Sequence, residues 1–204
     1  MRFGSLTVTG GFLVMVALFA LFDRNGFLPL VALSALVHEA GHFLAIWILG
    51  GRVSRLHLGL VGLKIDYEGR RIGYPGEIVI ALAGPVANLV FAYGVSFLGQ
   101  YLGGETAFFL AGISLGACVF NLLPVYQLDG GRAIYCALAL SFDSEQAGRG
   151  ICVVSCVTIF ALLVLGLLLF LWSGWNFTLF TAALWLLISY CKSRGNKIKY
   201  AVGM

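Results

Sequence analysis

Long apolar runs broken by short polar joints dominate this chain. Six of them approach the roughly 20 residues that a helix needs to cross hydrocarbon: Phe3–Phe22, Phe27–Gly50, Glu77–Leu98, Thr106–Leu123, Ile151–Trp172 and Trp175–Cys191. Asp23-Arg24-Asn25-Gly26 joins the first two, and Ser173-Gly174 joins the last two. Between Val53 and Glu68 the period changes. Leu56, Leu58 and Leu60 alternate with other residues, Val61-Gly62 intervenes, and Leu63, Ile65 and Tyr67 alternate again. Period two around a glycine predicts a β-hairpin, with an ordinary connecting loop as the alternative. The pattern therefore predicts an all-α membrane protein. It has six transmembrane helices and a small membrane-associated hairpin in one domain spanning residues 1–204.

Composition agrees with that reading. The chain is 60% hydrophobic and 11% charged, against about 25% charged in a soluble domain. No nucleic-acid partner is expected of it. The basic residues orient the spans. With both termini in the cytoplasm, the inside carries Arg2, Arg52, Arg55, Lys64, Arg70, Arg71, Arg132, Arg149, Lys192, Arg194, Lys197 and Lys199, and the outside carries Arg24 alone. This asymmetry is what the positive-inside rule requires, and an odd number of spans would destroy it. The first apolar run lacks a small-residue cleavage pattern before Asp23, so it reads as a retained span and not a signal peptide. Cys118, Cys136, Cys152, Cys156 and Cys191 form no C-x-x-C pair and read as packing residues, without disulfides or a thiolate metal site.

The second run is interrupted by His38-Glu39-Ala40-Gly41-His42. On a helix, His38 and His42 share a face. Two imidazoles at this spacing can hold one zinc ion, and a glutamate beside them can act as general base on a metal-bound water. In a soluble chain the bare pattern is often a surface helix that binds nothing. At membrane depth three ionisable side chains are costly and mark a functional site. A catalytic zinc usually takes a third protein ligand. Asp129 is the candidate, in Asn121-Leu122-Leu123-Pro124-Val125-Tyr126-Gln127-Leu128-Asp129-Gly130-Gly131-Arg132. Pro124 should break the fourth span, and non-helical backbone at membrane depth must be buried in protein or line a polar cavity. The alternative has Asp129 starting a cytoplasmic loop and capping the next helix. In the third span, Ala83, Gly84 and Ala87 permit close helix approach. Asn88 either lines the cavity, holding substrate backbone or the oxyanion, or bonds a neighbouring helix. Asn121 carries the same two readings. His57, in the hairpin, reads as structural or interfacial.

These motifs together, HEAGH, then AGPVAN, then NLLPVYQLDGGR, resemble the site-2 protease family of intramembrane zinc metalloproteases. They run from Val37 to Arg132 in the family's order. The six spans and the site-bearing second span look most like the branch containing the bacterial stage IV sporulation processing protease. The chain stops at Met204 without that branch's nucleotide-binding module of the CBS type, and no PDZ module interrupts its spans. The resemblance implies His38, His42 and Asp129 as ligands of one zinc per chain, Glu39 as base, and a less defined role for Asn88 near the cavity. It implies a membrane-anchored or membrane-inserted protein as substrate, such as a transcription-factor precursor or its anchor. The setting would be the lipid bilayer of a bacterial cell membrane. A regulatory membrane partner and homo-oligomerisation are left open. Two rivals are an inactive membrane scaffold and a zinc or proton transporter. Paired broken helices, a usual transporter mark, are not seen.

Overall fold

The computed structural model describes residues 6–8, 21, 23, 26–59, 62–69, 72–102, 104–173 and 177–195. Among these, β1 (Leu6–Val8) is followed by α1 (Leu28–Ile48), β2 (Gly51–Gly59) and β3 (Gly62–Gly69). Then come α2 (Tyr74–Leu102), α3 (Glu105–Asn121), α4 (Asp129–Ala139), α5 (Ser144–Ser173) and α6 (Thr178–Gly195). The chain divides into two compact units at the junction of Asn121 and Leu122.

In the first unit, α1, α2 and α3 pack against one another. The Asp23 carboxylate accepts the backbone N–H groups of Phe27 and Leu28 at 2.8 and 2.7 Å. It thus satisfies donors that the helix start leaves orphaned. Pro29 sits in the first turn, where a missing N–H costs nothing. Where α1 crosses α2, a Cβ on Gly41 would lie 2.7 Å from Ala87 Cβ, so only glycine allows this approach. Side-chain polarity is inverted relative to a soluble bundle. Ser34, His38, His42, Asn88 and Ser114 are buried, whereas Leu36, Leu44, Trp47, Val90 and Tyr93 are exposed. Lipid makes such a surface stable, because hydrocarbon accepts apolar side chains and offers polar ones no partners.

The expected hairpin is present. β2 and β3 pair antiparallel, with Leu56 opposite Ile65, Val53 opposite Tyr67 and an irregularity between Val53 and Arg55. It packs on the ends of α1 and α2, where Val53, Ile65 and Tyr67 lie against Ala45, Ile46 and Ile80. The Tyr67 hydroxyl donates to the buried Glu77 carboxylate and pins sheet to helix. The first run departs from expectation at Leu6–Val8, which forms a strand parallel to Leu56–Leu58. Thr7 and Val8 are β-branched and suit a strand. The rest of that expected span lies outside the described residues, apart from a helical Leu21.

In the second unit, α5 packs against α4 and α6. Ile151, Ile159, Ala183 and Leu186 are buried there. Helices α1, α2 and α5 are long and apolar enough to cross a membrane, and α3 and α6 carry shorter apolar stretches. The chain is a membrane protein by this measure. Helix α3 ends at Asn121, three residues before Pro124, as the proline predicts.

Candidate active site

The first unit holds the histidine pair. His38 and His42 are both buried on α1, four residues apart. Their rings meet edge to face with centroids 4.8 Å apart. The Nε2 atoms lie 3.1 Å from each other. Each ring's other nitrogen meets α2. His42 Nδ1 lies 2.8 Å from the Ile80 backbone carbonyl. A carbonyl only accepts, so that nitrogen carries the proton and His42 Nε2 keeps its lone pair. Pro85 lies inside α2 and has no N–H to give the Ala81 carbonyl. His38 Nδ1 lies 3.3 Å from Asn88 Nδ2. Asn88 is fully buried, and its Oδ1 has no hydrogen-bond partner.

Space over the two rings comes from Gly84. A Cβ there would collide with His42 Nε2 and would lie 2.9 Å from His38 Cε1. Sequence reasoning assigned Gly84 to helix packing. Its contact with the ring nitrogens was hidden because Gly84 and His42 are remote in sequence. Glu39, half-buried, is next to His38 on the same helix. Two facing imidazole nitrogens with an orphaned amide oxygen behind one ring fit a zinc ion, and Glu39 adjoins His38 in sequence.

The second unit holds Asp129. Residues 122–128 are non-helical. This stretch folds tightly on the start of α4, where a Cβ on Gly130 would strike the Leu122 carbonyl and one on Gly131 would strike the Val125 carbonyl. The Tyr126 N–H donates to Ser155 Oγ at 2.9 Å, and that hydroxyl donates to the Ile151 carbonyl at 2.7 Å. Asp129 is already helical. The N-cap is Leu128, with φ −100° and ψ 163° and no side-chain cap bond. Asp129 is the acidic residue of the first turn of α4. Both amide atoms of Gln127 are buried without a partner, a feature that sequence reasoning missed. The available signal was an amide two residues before the carboxylate in a segment that proline keeps non-helical. Asn121 turns inward on its own helix, its Nδ2 donating to the Ala117 carbonyl at 3.0 Å. His57 falls in β2, with its backbone opposite Lys64.

The fold is that of a site-2 protease. It is similar to the site-2 protease from Methanocaldococcus jannaschii at a TM-score of 0.69 and 19% identity, covering 94% of this chain and 92% of that one. In sequence it is similar to the zinc metalloprotease Rip3 of Mycobacterium tuberculosis, 31% identical over 69% of this chain and 38% of Rip3. It is also similar to stage IV sporulation protein FB of Bacillus subtilis, 24% identical over 57% of this chain and 42% of that protein. The chain thus matches less than half the length of these curated relatives. No family profile matches it.

Proposed function

We propose that the chain is an intramembrane zinc metalloprotease that hydrolyses peptide bonds of membrane-anchored or membrane-inserted proteins. The observation that carries this reading is the buried pair of imidazole Nε2 atoms, 3.1 Å apart, with Glu39 adjoining on an apolar helix. His38 and His42 would hold one zinc per chain, with Asp129 as the third ligand. The metal, when bound, supplies Lewis acidity that activates water and polarises the scissile carbonyl. Glu39 takes the proton from the attacking water and later gives it to the leaving amine. Helical amides are shielded by their own hydrogen bonds, so the substrate must be extended before it is cut. Among the described residues β2 is paired on both sides, which leaves the outer edges of β1 and β3 to add a substrate strand. The proposal includes six spans, both termini in the cytoplasm and one protease domain over residues 1–204, supported by the distribution of lysine and arginine.

The test reconstitutes wild type and Glu39→Gln in vesicles with a single-span reporter protein and measures zinc content and cleavage together. The expected outcome is equal zinc in both and loss of cleavage by about two to four orders of magnitude in the variant, the span general-base catalysis commands. Wild-type turnover by Glu39→Gln would sink the mechanism.

A further inference from the structure

We propose that Cys152, Cys156 and Tyr190 form a second metal site, one that takes a soft monovalent cation such as Cu(I). Helix α5 carries both cysteines, α6 carries the tyrosine, and the two helices pack together within the second unit. The Tyr190 hydroxyl lies 2.6 Å from Cys152 Sγ and 3.5 Å from Cys156 Sγ. It also reaches the Cys152 carbonyl at 3.4 Å. Two sulfurs and one oxygen thus converge. The same three residues, with Val153 and Val157, line a cleft of about 210 Å³. The cysteines of the chain divide into two kinds. Cys118 and Cys136 are buried, as packing residues are. Cys152 is half-buried and Cys156 is exposed, both at the cleft. The expectation that all five cysteines serve packing therefore does not extend to this pair, whose tyrosine comes from a helix remote in sequence.

One helical turn separates the two thiols, which puts their Cβ atoms about 5–6 Å apart. A disulfide needs about 3.5–4.5 Å between them. The pair cannot close on itself without bending α5, so both sulfurs stay available to a metal. Thiolate sulfur selects soft ions, Cu(I) among them, whereas Mg²⁺ and Ca²⁺ want sets of oxygen ligands. Binding replaces thiol protons with the cation and releases them to solvent. The Tyr190 hydroxyl can donate as well as accept. Beside a thiolate it makes a charge-assisted bond that holds the sulfur in place. The cleft is also within reach of an ion from water. Arg149, three residues before Cys152, is exposed and paired with Glu145 at 3.7 Å, and it marks the polar end of α5. The thiols lie one to two turns inside that end, near the depth at which tyrosine gathers in membrane proteins. None of these groups belongs to the proposed zinc centre, so the site stands or falls independently of the protease reading.

The test titrates the full chain in detergent with Cu(I), without oxygen, against a Cu(I)-specific chelator. Zinc is kept in excess to occupy the histidine pair. The proteins are wild type, Cys152→Ser, Cys156→Ser, Tyr190→Phe and Cys191→Ser. Wild type should bind one Cu(I) per chain, and X-ray absorption at the copper edge should show two sulfur neighbours. Cys152→Ser and Cys156→Ser should each weaken binding by more than about 100-fold, because each removes a ligand and not merely a partner behind one. Tyr190→Phe should weaken it about 10–100-fold, the usual cost of losing such a partner. Cys191→Ser, outside the cleft, should bind as wild type does. A folded wild type that takes up no Cu(I) overturns the proposal and leaves the zinc reading untouched. So does copper without sulfur neighbours, which needs no variant to fold. Affinity lost with Cys191 and kept without Cys152 and Cys156 overturns it as well.

Discussion

The histidine-bearing unit and the aspartate-bearing unit present polar groups in opposite ways. In the first, the two histidines lie on an unbroken helix, α1. The difficulty there is the side chain, and the solution is a partner from α2 for each ring: Ile80 for His42 and Asn88 for His38. In the second, helix is abandoned over residues 122–128, and the difficulty is the backbone. The solution is glycine at 130 and 131, where loop carbonyls press in, and a serine hydroxyl that takes the Tyr126 N–H. Both devices answer one rule, that buried polar groups in hydrocarbon must be partnered. Damage to the first should appear as lost ligand geometry, and damage to the second as lost backbone order.

The largest expected effect is at Asp129. Asp129→Ala should cut zinc affinity by far more than any change behind the histidines, because it removes one of the three proposed donors. Zinc content by elemental analysis, together with the helical circular dichroism signal, checks this. Unchanged zinc in a folded Asp129→Ala protein would confine the metal centre to the first unit.

Gly84→Ala comes next. Helix propensity alone favours alanine over glycine by about 1 kcal/mol, so helix α2 should tolerate the change well. The added Cβ nevertheless meets His42 Nε2, the atom proposed to hold the metal. Zinc affinity should fall about 10–100-fold, on the scale of a disturbed ligand orientation, and thermal stability should fall with it, because both buried rings must give way to the added Cβ. Equal affinities would show that the rings can shift away from α2, and that the gap left by Gly84 serves only helix packing.

How much of this was legible in the sequence follows from the range of each signal. Helix α1, its histidine spacing and the stop before Pro124 depend on neighbours within a turn or two, and each was readable. So was the hairpin, whose period of two survives even a bulge near Arg55. The parallel strand at Leu6–Val8 was not, because its partner lies 50 residues on and three residues are too few to show a period. In the site, Glu39, His38 and His42 announced themselves as ionisable residues in an apolar run. The Ile80 carbonyl and the room above Gly84 could not, since a backbone oxygen and a missing side chain leave no chemical mark in a sequence. Asn88 stood out as polar, but its contact with His38 rather than with solvent or substrate is a property of helix crossing.

The smallest expected effect probes the second unit alone. Ser155 is fully buried, and its hydroxyl accepts from the Tyr126 N–H while donating to the Ile151 carbonyl. Ser155→Ala removes both bonds. The Ile151 loss should matter little, since that carbonyl lies within α5 and is positioned to accept the helical bond of residue 155 itself. The Tyr126 N–H lies in the non-helical stretch 122–128, outside any helical ladder. Leaving that donor unpaired should cost about 1–3 kcal/mol. The deficit should be local, so exchange of the Tyr126 amide with deuterated solvent should quicken by about ten- to a hundredfold, since 1.4 kcal/mol corresponds to a factor of ten. Zinc stoichiometry at saturating metal should not change, in contrast to Asp129→Ala. Unaltered exchange at Tyr126 would mean that the glycine-packed carbonyls alone hold the loop, and that the serine is a spectator of the fold.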